Sequence, residues 1–555
     1  MSSARAGQGS AASAPPGQAA QSAPSAAAST GPQAPAAPRT VTGRTRWQDT
    51  AARWLPIAFA AAIMAVLGVW GLSRHNAMGN DEIVTRYAST LSLRQLAHLL
   101  EHTDIYHGFY YVVMHPWVAL FGTTPSAIRV PSVIAMTVAV GLMVYIARRL
   151  SGSAWTGLFA GLIMALTPTI SFYAQTAREY ATIVAVVLCA TLALVRAVEA
   201  EMAGAPADQI RKRWLVYAPL ITLSGYLNEL TLVVLAAHMV TVLLARPGRR
   251  AVRHWFSAGA VGAFLVLPVV AISIHQDSAA NWITRPDLHD LGVLFHDYFG
   301  SVTWVAAGLL VCAIAAVLPD GHPAWWQRGG ISLPSVAAPL LVVPAGLLIL
   351  ESLVGHPLYV DRYVLYGETG AAMLAGAGVY RIGRWLASWL NRLADGALDW
   401  RVIVAATGAI ACLGVLIFQL GPQHRARTPE TRQFDYGDPA FYIGAHARPG
   451  DGVLFFNSFF RKARLGYPHQ FRDTTDFAMS VSPQRSGTLN GFDKPFSVVG
   501  PLMLTYQRIW VVGRAPSTHV SSAAIRSEGD LLMRDFTLAA ERHFKGVVVT
   551  LWLRR

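Results

Sequence analysis

Two carboxylates stand side by side at Asp81 and Glu82, in the stretch GNDEIVTRYA that follows the first long apolar run of the chain. The end of a membrane helix ordinarily carries residues that anchor at the interface, so an acidic pair there is unusual. Such a pair suits general-base chemistry: one carboxylate takes a proton from a hydroxyl while the other orients it. A solvated helix terminus explains the pair as well. Asp104 and His107 follow, just ahead of an aromatic-rich run, HGFYYVVMH. Arg178 lies between two apolar runs, where a guanidinium could grip a lipid phosphate through two parallel hydrogen bonds or merely snorkel to headgroups. Arg362 stands in a comparable place late in the chain, in HPLYVDRYVLYGETG. Two arginines from distant parts of the sequence on one membrane face weaken the snorkelling explanation for both. A loop over 275–302 holds His275, Asp277, His289, His296 and Asp297. His289 and His296 share a helix face and could take a divalent ion. They form no tight i,i+4 pair, however, and an amphipathic helix accounts for them equally well. No metal ligand is assigned.

The elements that must position these residues are membrane helices. The chain is 53% hydrophobic and 14% charged, with mean hydropathy +0.38, outside the usual balance of a soluble domain. Its apolar blocks run to about 17–22 residues, enough to cross a hydrocarbon core of about 30 Å as helices. They fall at 54–73, 130–148, 154–171, 180–198, 214–229, 231–245, 255–274, 303–318, 334–354, 364–380 and 402–420. The fold class expected is therefore a polytopic α-helical membrane protein of about eleven spans. The fifth and sixth are the weakest, because Asn228 and Glu229 interrupt them. Basic residues crowd the N-terminal segment and alternate connections, such as Arg148–Arg149, Arg196–Arg213 and Arg246–Arg253. The positive-inside rule then puts the N-terminus in the cytoplasm, and Asp81, Glu82, Asp104, His107, Arg178 and Arg362 outside it. Chemistry there has no nucleotide-activated substrate at hand, and a lipid-carried donor would supply one.

The loop between the first two spans is too long for a simple connector. In SLRQLAHLLEH, Ser92 and Gln95 form a capping box, and Leu93, Leu96, Leu99 and Leu100 mark one face of an interfacial helix. Tyr110, Tyr111 and Trp117 suit the headgroup zone. Residues 1–50, rich in Ala, Ser, Pro and Gly, read as a disordered cytoplasmic tail. The net charge of +14 tempts a nucleic-acid reading, but the basic residues gather at helix ends, so no nucleic-acid partner is expected. Lysine is scarce, occurring only at 212, 462, 494 and 545. Cys189, Cys312 and Cys412 each fall inside a span and read as small apolar residues. After residue 421 the chain becomes less apolar. RPGDGVLFFN, QRIWVVG and KGVVVTLWLR read as strands and DLLMRDFTLAAERHF as an amphipathic helix, which makes a small α/β extracytoplasmic C-terminal domain without a nucleotide motif.

The acidic pair after the first span, the two interfacial helices, the D-x-x-H step into YY, and FG…SAIRVPS before the second span together resemble the GT-C superfamily of membrane glycosyltransferases. The similarity is nearest to the protein O-mannosyltransferase and aminoarabinose-transferase branch, and HGFYYVVMH resembles actinobacterial mannosyltransferases. It runs from about residue 55 to 400, within a GT-C-like transmembrane domain set at 51–420, with the first outer loop at 75–128 and the outer domain at 421–555. The family's Q-x-x-R-x-Y pattern falls here on Gln175, Arg178 and Tyr180, with Glu179 where the family more often has an apolar residue or proline. Its late R-Y falls on Arg362 and Tyr363, after Asp361. The resemblance implies transfer of a sugar, mannose-like hexose first, from a polyprenyl-phosphate donor to a glycan, lipid or protein acceptor, with inversion. It implies Asp81 as base with Glu82 supporting it or sharing the role, and Arg178, Arg362, Tyr180 and Tyr363 at the donor phosphate. Asp104, His107 and Gln175 would shape the acceptor or phosphate pocket. No cofactor is required, because arginine alone can hold the leaving phosphate. A transporter or flippase, resting on Glu229, His238 and Glu351, and a noncatalytic protein of the same fold are the rivals. An oligosaccharyltransferase is disfavoured, since AWWQR is not the W-W-D motif and falls on the cytoplasmic side.

Overall fold

The computed structural model describes residues 46–73, 78–279, 282–319, 327, 329–395, 397–428, 431, 434–514 and 523–555. Most of the tail expected over 1–50, and most of AWWQR, lie outside the described residues. Thr50–Arg555 form one compact unit.

Every stretch read as a span is helical, and several are broken. The order begins α1 (Arg46–Val69), α2 (Asn80–Thr90), α3 (Leu93–His102), α4 (Gly108–Phe121), α5 (Pro125–Ser151), α6 (Ala154–Leu166), α7 (Pro168–Ala174) and α8 (Tyr180–Met202). It continues α9 (Ala207–Leu227), α10 (Val234–Ala245), α11 (Arg249–Phe264), α12 (Leu267–Ser273), α13 (Leu288–Phe299), α14 (Thr303–Val317), α15 (Leu333–Val354), α16 (Glu368–Leu393) and α17 (Trp400–Arg425). Of these, α5, α8, α15 and α17 are long and apolar enough to cross a membrane singly, and three bent pairs raise the number to seven. The α6–α7 pair bends by 68° and the α11–α12 pair by 46°. Both breaks carry a proline, Pro168 and Pro268, which lacks the N–H that would continue the ladder. The α13–α14 pair bends by 71° at Gly300, whose φ of 111° only glycine adopts freely. The break between α9 and α10 falls at Asn228, whose side chain accepts from the Leu230 N–H and caps the next turn.

The connecting segments follow local rules. Ser92 and Gln95 cap α3 reciprocally, and Thr124 with Pro125 opens α5, which ends on the left-handed Gly152. Helix α16 packs unusually close to its neighbours. A methyl group on Gly376 would overlap the Ala160 backbone, and one on Gly378 the Cys312 carbonyl. Small residues at such crossings let helices approach where lipid offers no hydrophobic drive.

The C-terminal region carries a five-stranded mixed sheet in the order β2-β1-β5-β7-β6. Its strands are β1 (Asp451–Phe455), β2 (Thr474–Asp476), β5 (Arg508–Gly513), β6 (Phe536–Phe544) and β7 (Val547–Arg554), and β3 (Met479–Val481) pairs with β4 (Phe492–Asp493) apart. Strands β1 and β5 are parallel, and β7 runs antiparallel to both β5 and β6. One expectation is corrected here. Only the first part of DLLMRDFTLAAERHF is helical, closing the helix Ala523–Asp535, and Phe536–Phe544 is an edge strand. Leu, Ala, Glu and Arg favour a helix by propensity. The free edge of β7 and the turn at Gly546 (φ 72°) offer a hairpin instead, and tertiary pairing overrides the local preference.

Candidate active site

The acidic pair divides as soon as it enters a helix, since neighbouring residues point about 100° apart. Glu82 is fully buried. Its carboxylate accepts from Arg129 Nε at 2.7 Å and Nη2 at 2.9 Å, from the Ala177 N–H at 3.2 Å and from the Gly79 N–H at 3.0 Å. It therefore joins the start of α2 to α5 and to the 175–179 turn. Asp81 turns the other way and keeps 33% of its side chain exposed. Burial would push its carboxyl up, but Arg178 first, then Arg362, His107 and Lys462, hold it below its ordinary value.

Arg178 is the hub of this crevice. Its Nη2 lies 3.9 Å from Asp81 Oδ1. Nη1 donates to the Tyr111 hydroxyl at 2.6 Å, and that hydroxyl donates to Asp104 Oδ2 at 2.8 Å. Ser132 on α5 holds the turn by donating to the carbonyls of Thr176 and Arg178. Asp104 has left-handed backbone, φ 61°, an uncommon state for a residue with a side chain and one that recurs at functional sites. The turn is braced from the 275–302 loop: Gln276 accepts from the Ile105 N–H and donates to the Leu100 carbonyl. His107 is buried, with Nδ1 2.8 Å from Glu179 Oε1.

Arg362 enters from the turn before α16. Its Nε donates to the Tyr180 hydroxyl at 2.9 Å, and its guanidinium lies over the rings of Tyr180, Trp282 and Tyr363. Asp81, Asp104, His107, Arg178, Tyr180, Arg362 and Tyr363 thus form one linked cluster. Arg178 and Arg362 both act on the accessible carboxylate of Asp81. An anion can be bound there, and a proton can be taken beside it.

Two expected site residues do not face this crevice. Glu82 is committed to Arg129, so its carboxylate is not free to take a substrate proton. Gln175 donates from Nε2 to the main-chain carbonyls of Leu67, Gly68 and Trp70, which fastens the end of α1. Tyr110 and Tyr111 are buried rather than set at headgroups, at 2% and 0% exposure, because Tyr111 spans Arg178 and Asp104. Lys462, from the C-terminal region, went unrecognised in the sequence, where its scarcity as a lysine was the only signal.

Two of the groups that a transporter reading would use have hydrogen-bond partners. Both ring nitrogens of His238 are hydrogen-bonded, to Thr191 and Tyr217, and Glu229 accepts from Ser273. Among the described residues, the group with metal-ligand spacing is His98, Glu101 and His102 on α3, with ligand atoms within 4.8 Å of one another; His289 and His296 are not part of it. An open groove lined by Phe109, Pro219, Tyr226 and Leu265 contains no carboxylate or histidine, so it offers apolar surface and no chemistry.

The fold is shared with a solved structure of low sequence identity. The crystal structure of ArnT from Cupriavidus metallidurans in the apo state matches with a TM-score of 0.55 at 14% identity, over 90% of this chain and 98% of that one. The same protein bound to undecaprenyl phosphate matches with 0.54 at 14% identity and the same coverage. The archaeal oligosaccharyltransferase AglB from Archaeoglobus fulgidus gives 0.48 at 12% identity, over 91% of this chain and 74% of that one. Residues 109–274 match the family profile described as dolichyl-phosphate-mannose-protein mannosyltransferase. No curated protein sequence matches the chain.

Proposed function

We propose that this chain is a glycosyltransferase that moves a sugar, a mannose-like hexose, from a polyprenyl-phosphate donor to a hydroxyl of a glycan, lipid or protein on the outer face of the cytoplasmic membrane. The observation that carries this reading is an accessible carboxylate, Asp81, with Arg178 3.9 Å away and Arg362 also acting on it. Asp81 takes the acceptor's proton, and the acceptor oxygen attacks the anomeric carbon. The bond from that carbon to the phosphate oxygen breaks, and the lipid phosphate leaves with its negative charge held by the two arginines. One displacement of this kind inverts the anomeric centre. Asp104, Tyr111 and His107 orient Arg178, while Glu82 acts through α2 as a positioning residue. The field that depresses the Asp81 carboxyl comes chiefly from the two arginines. A phosphate bound between them cancels part of that field and raises the carboxyl toward the range where a base works best.

Replacing Arg178 or Arg362 with alanine is expected to weaken undecaprenyl phosphate binding by about 2–5 kcal/mol, by analogy with truncated buried charge pairs. Binding to the purified protein in nanodiscs measures it. Arg178→Lys is expected to recover only part, because an ammonium cannot reproduce the two-pronged contact. Unchanged affinity in both alanine variants would remove the phosphate site from the account.

In this reading about eleven spans cross the membrane, with the N-terminus inside and residues 421–555 outside. In a cysteine-free background, Arg285→Cys and Arg448→Cys are expected to react with an impermeant thiol reagent on intact cells, and Arg249→Cys to be protected. The reverse pattern would turn the crevice toward the cytoplasm and overturn the choice of donor.

A further inference from the structure

Lys462 is one of four lysines in the chain, and it is 5% exposed. Its ammonium lies 4.0 Å from the centre of the Phe459 ring. Among the described residues no carboxylate lies within ion-pair distance of it. A buried ammonium without a partner anion is costly, and an apolar side chain would fill the same space without that cost. The charges it feels are those of the crevice: Asp104 and Asp81 favourably, Arg178 unfavourably. Burial, only partly offset by the two carboxylates, pushes its pKa down to about 8. Lys462 and Arg178 thus act on the same carboxylate, Asp81, and an anion would supply the partner that Lys462 lacks among the described residues.

The segment that carries Lys462 is docked firmly on the helix that carries Asp81. Ile83 of α2 packs against Gly466, Arg86 donates to the Gly466 carbonyl, and the Met78 N–H donates to the Tyr467 hydroxyl at 2.7 Å. On the other side, the adjacent Arg461 is 2% exposed and tied to Asp476, to Asp493 and to the Asn490 carbonyl. Lys462 is therefore held between a rigid anchor in the C-terminal region and the N-terminal turn of α2. That is the precondition for a preorganised contact.

We propose that Lys462 is a third cation of the lipid-phosphate site, so that the C-terminal α/β region forms a wall of the reaction crevice rather than an appendage. The inference rests on the glycosyltransferase reading above and assigns to that site a ligand from a part of the chain that the family resemblance does not cover. The Lys462 ammonium meets an oxygen of the phosphate that Arg178 and Arg362 hold. A single charge-assisted contact of this kind corresponds to a loss of about tenfold or more in affinity when the charge is removed.

The test is undecaprenyl phosphate binding to the full chain in nanodiscs. Lys462→Met, which keeps length and apolar bulk, is expected to weaken binding at least about tenfold, and Lys462→Arg to stay within about threefold of the parent. Lys545→Met, at an exposed turn, removes the same charge elsewhere and is expected to change nothing. Unfolding temperatures of Lys462→Met at or above the parent value separate a lost contact from a lost fold. Unchanged affinity in Lys462→Met overturns the inference. If Arg178→Ala and Arg362→Ala still weaken binding in that case, the phosphate site stands without Lys462. If all three leave binding unchanged, or the parent protein binds no undecaprenyl phosphate, the function reading falls and this inference with it.

Discussion

Asp81→Asn is expected to lower sugar transfer by roughly 10²–10⁴-fold, the usual contribution of a positioned general base. Asparagine keeps the size and polarity of the side chain but cannot take the proton. The carboxylate is one-third exposed, and its nearest described charged partner is Arg178 at 3.9 Å, so its loss breaks no short buried contact. Folding and undecaprenyl phosphate affinity are expected to survive, and affinity should even rise slightly as one negative charge leaves a site built for an anion. The rate profile carries a second sign. Because the arginines hold Asp81 below the ordinary carboxylate range, kcat/KM should stay flat with falling pH until below that range, and the acidic limb should vanish in the variant. Radiolabelled transfer in membranes of cells lacking the native protein measures both. A normal rate in Asp81→Asn would end the general-base assignment.

The largest effect on stability is expected at the other half of the acidic pair. Arg129→Met takes the guanidinium away from the buried Glu82 carboxylate, which still accepts from the N–H groups of Gly79 and Ala177. Breaking a buried pair by removing one partner costs about 3–5 kcal/mol, whereas the net worth of such a pair against apolar replacements is small. The unfolding midpoint in detergent should fall sharply for Arg129→Met and less for Glu82→Gln, whose amide can still accept from both N–H groups. Any loss of transfer in Glu82→Gln should accompany lost stability, in contrast to Asp81→Asn. Midpoints equal to the parent in both variants would show that the pair does not fasten α2 to α5.

The apolar blocks and turn residues carried most of the fold. Length and apolarity mark the helices, and Ser92 with Gln95 marks the start of α3, because these are local properties of the chain. The sheet edge at Phe536–Phe544 was not local. Its residues favour a helix, and only the partner strand β7 decides. The site divides along the same line. Asp81, Arg178 and Arg362 could be picked out by charge beside apolar runs. That Glu82 belongs to Arg129, forty-seven residues away, or that Gln175 closes the end of α1, depends on contacts no spacing encodes. Tyr111 looked like one more interfacial aromatic until Arg178 and Asp104 were found on either side of its hydroxyl. Lys462 comes from a region whose docking on α2 has no signature in sequence.

The most direct measurement is a density map of the protein with undecaprenyl phosphate bound. The account predicts the phosphate between the guanidinium groups of Arg178 and Arg362, with Asp81 beside it and open toward the acceptor side. A phosphate bound away from both arginines, with Asp81 out of reach of the cleaved bond, would contradict it.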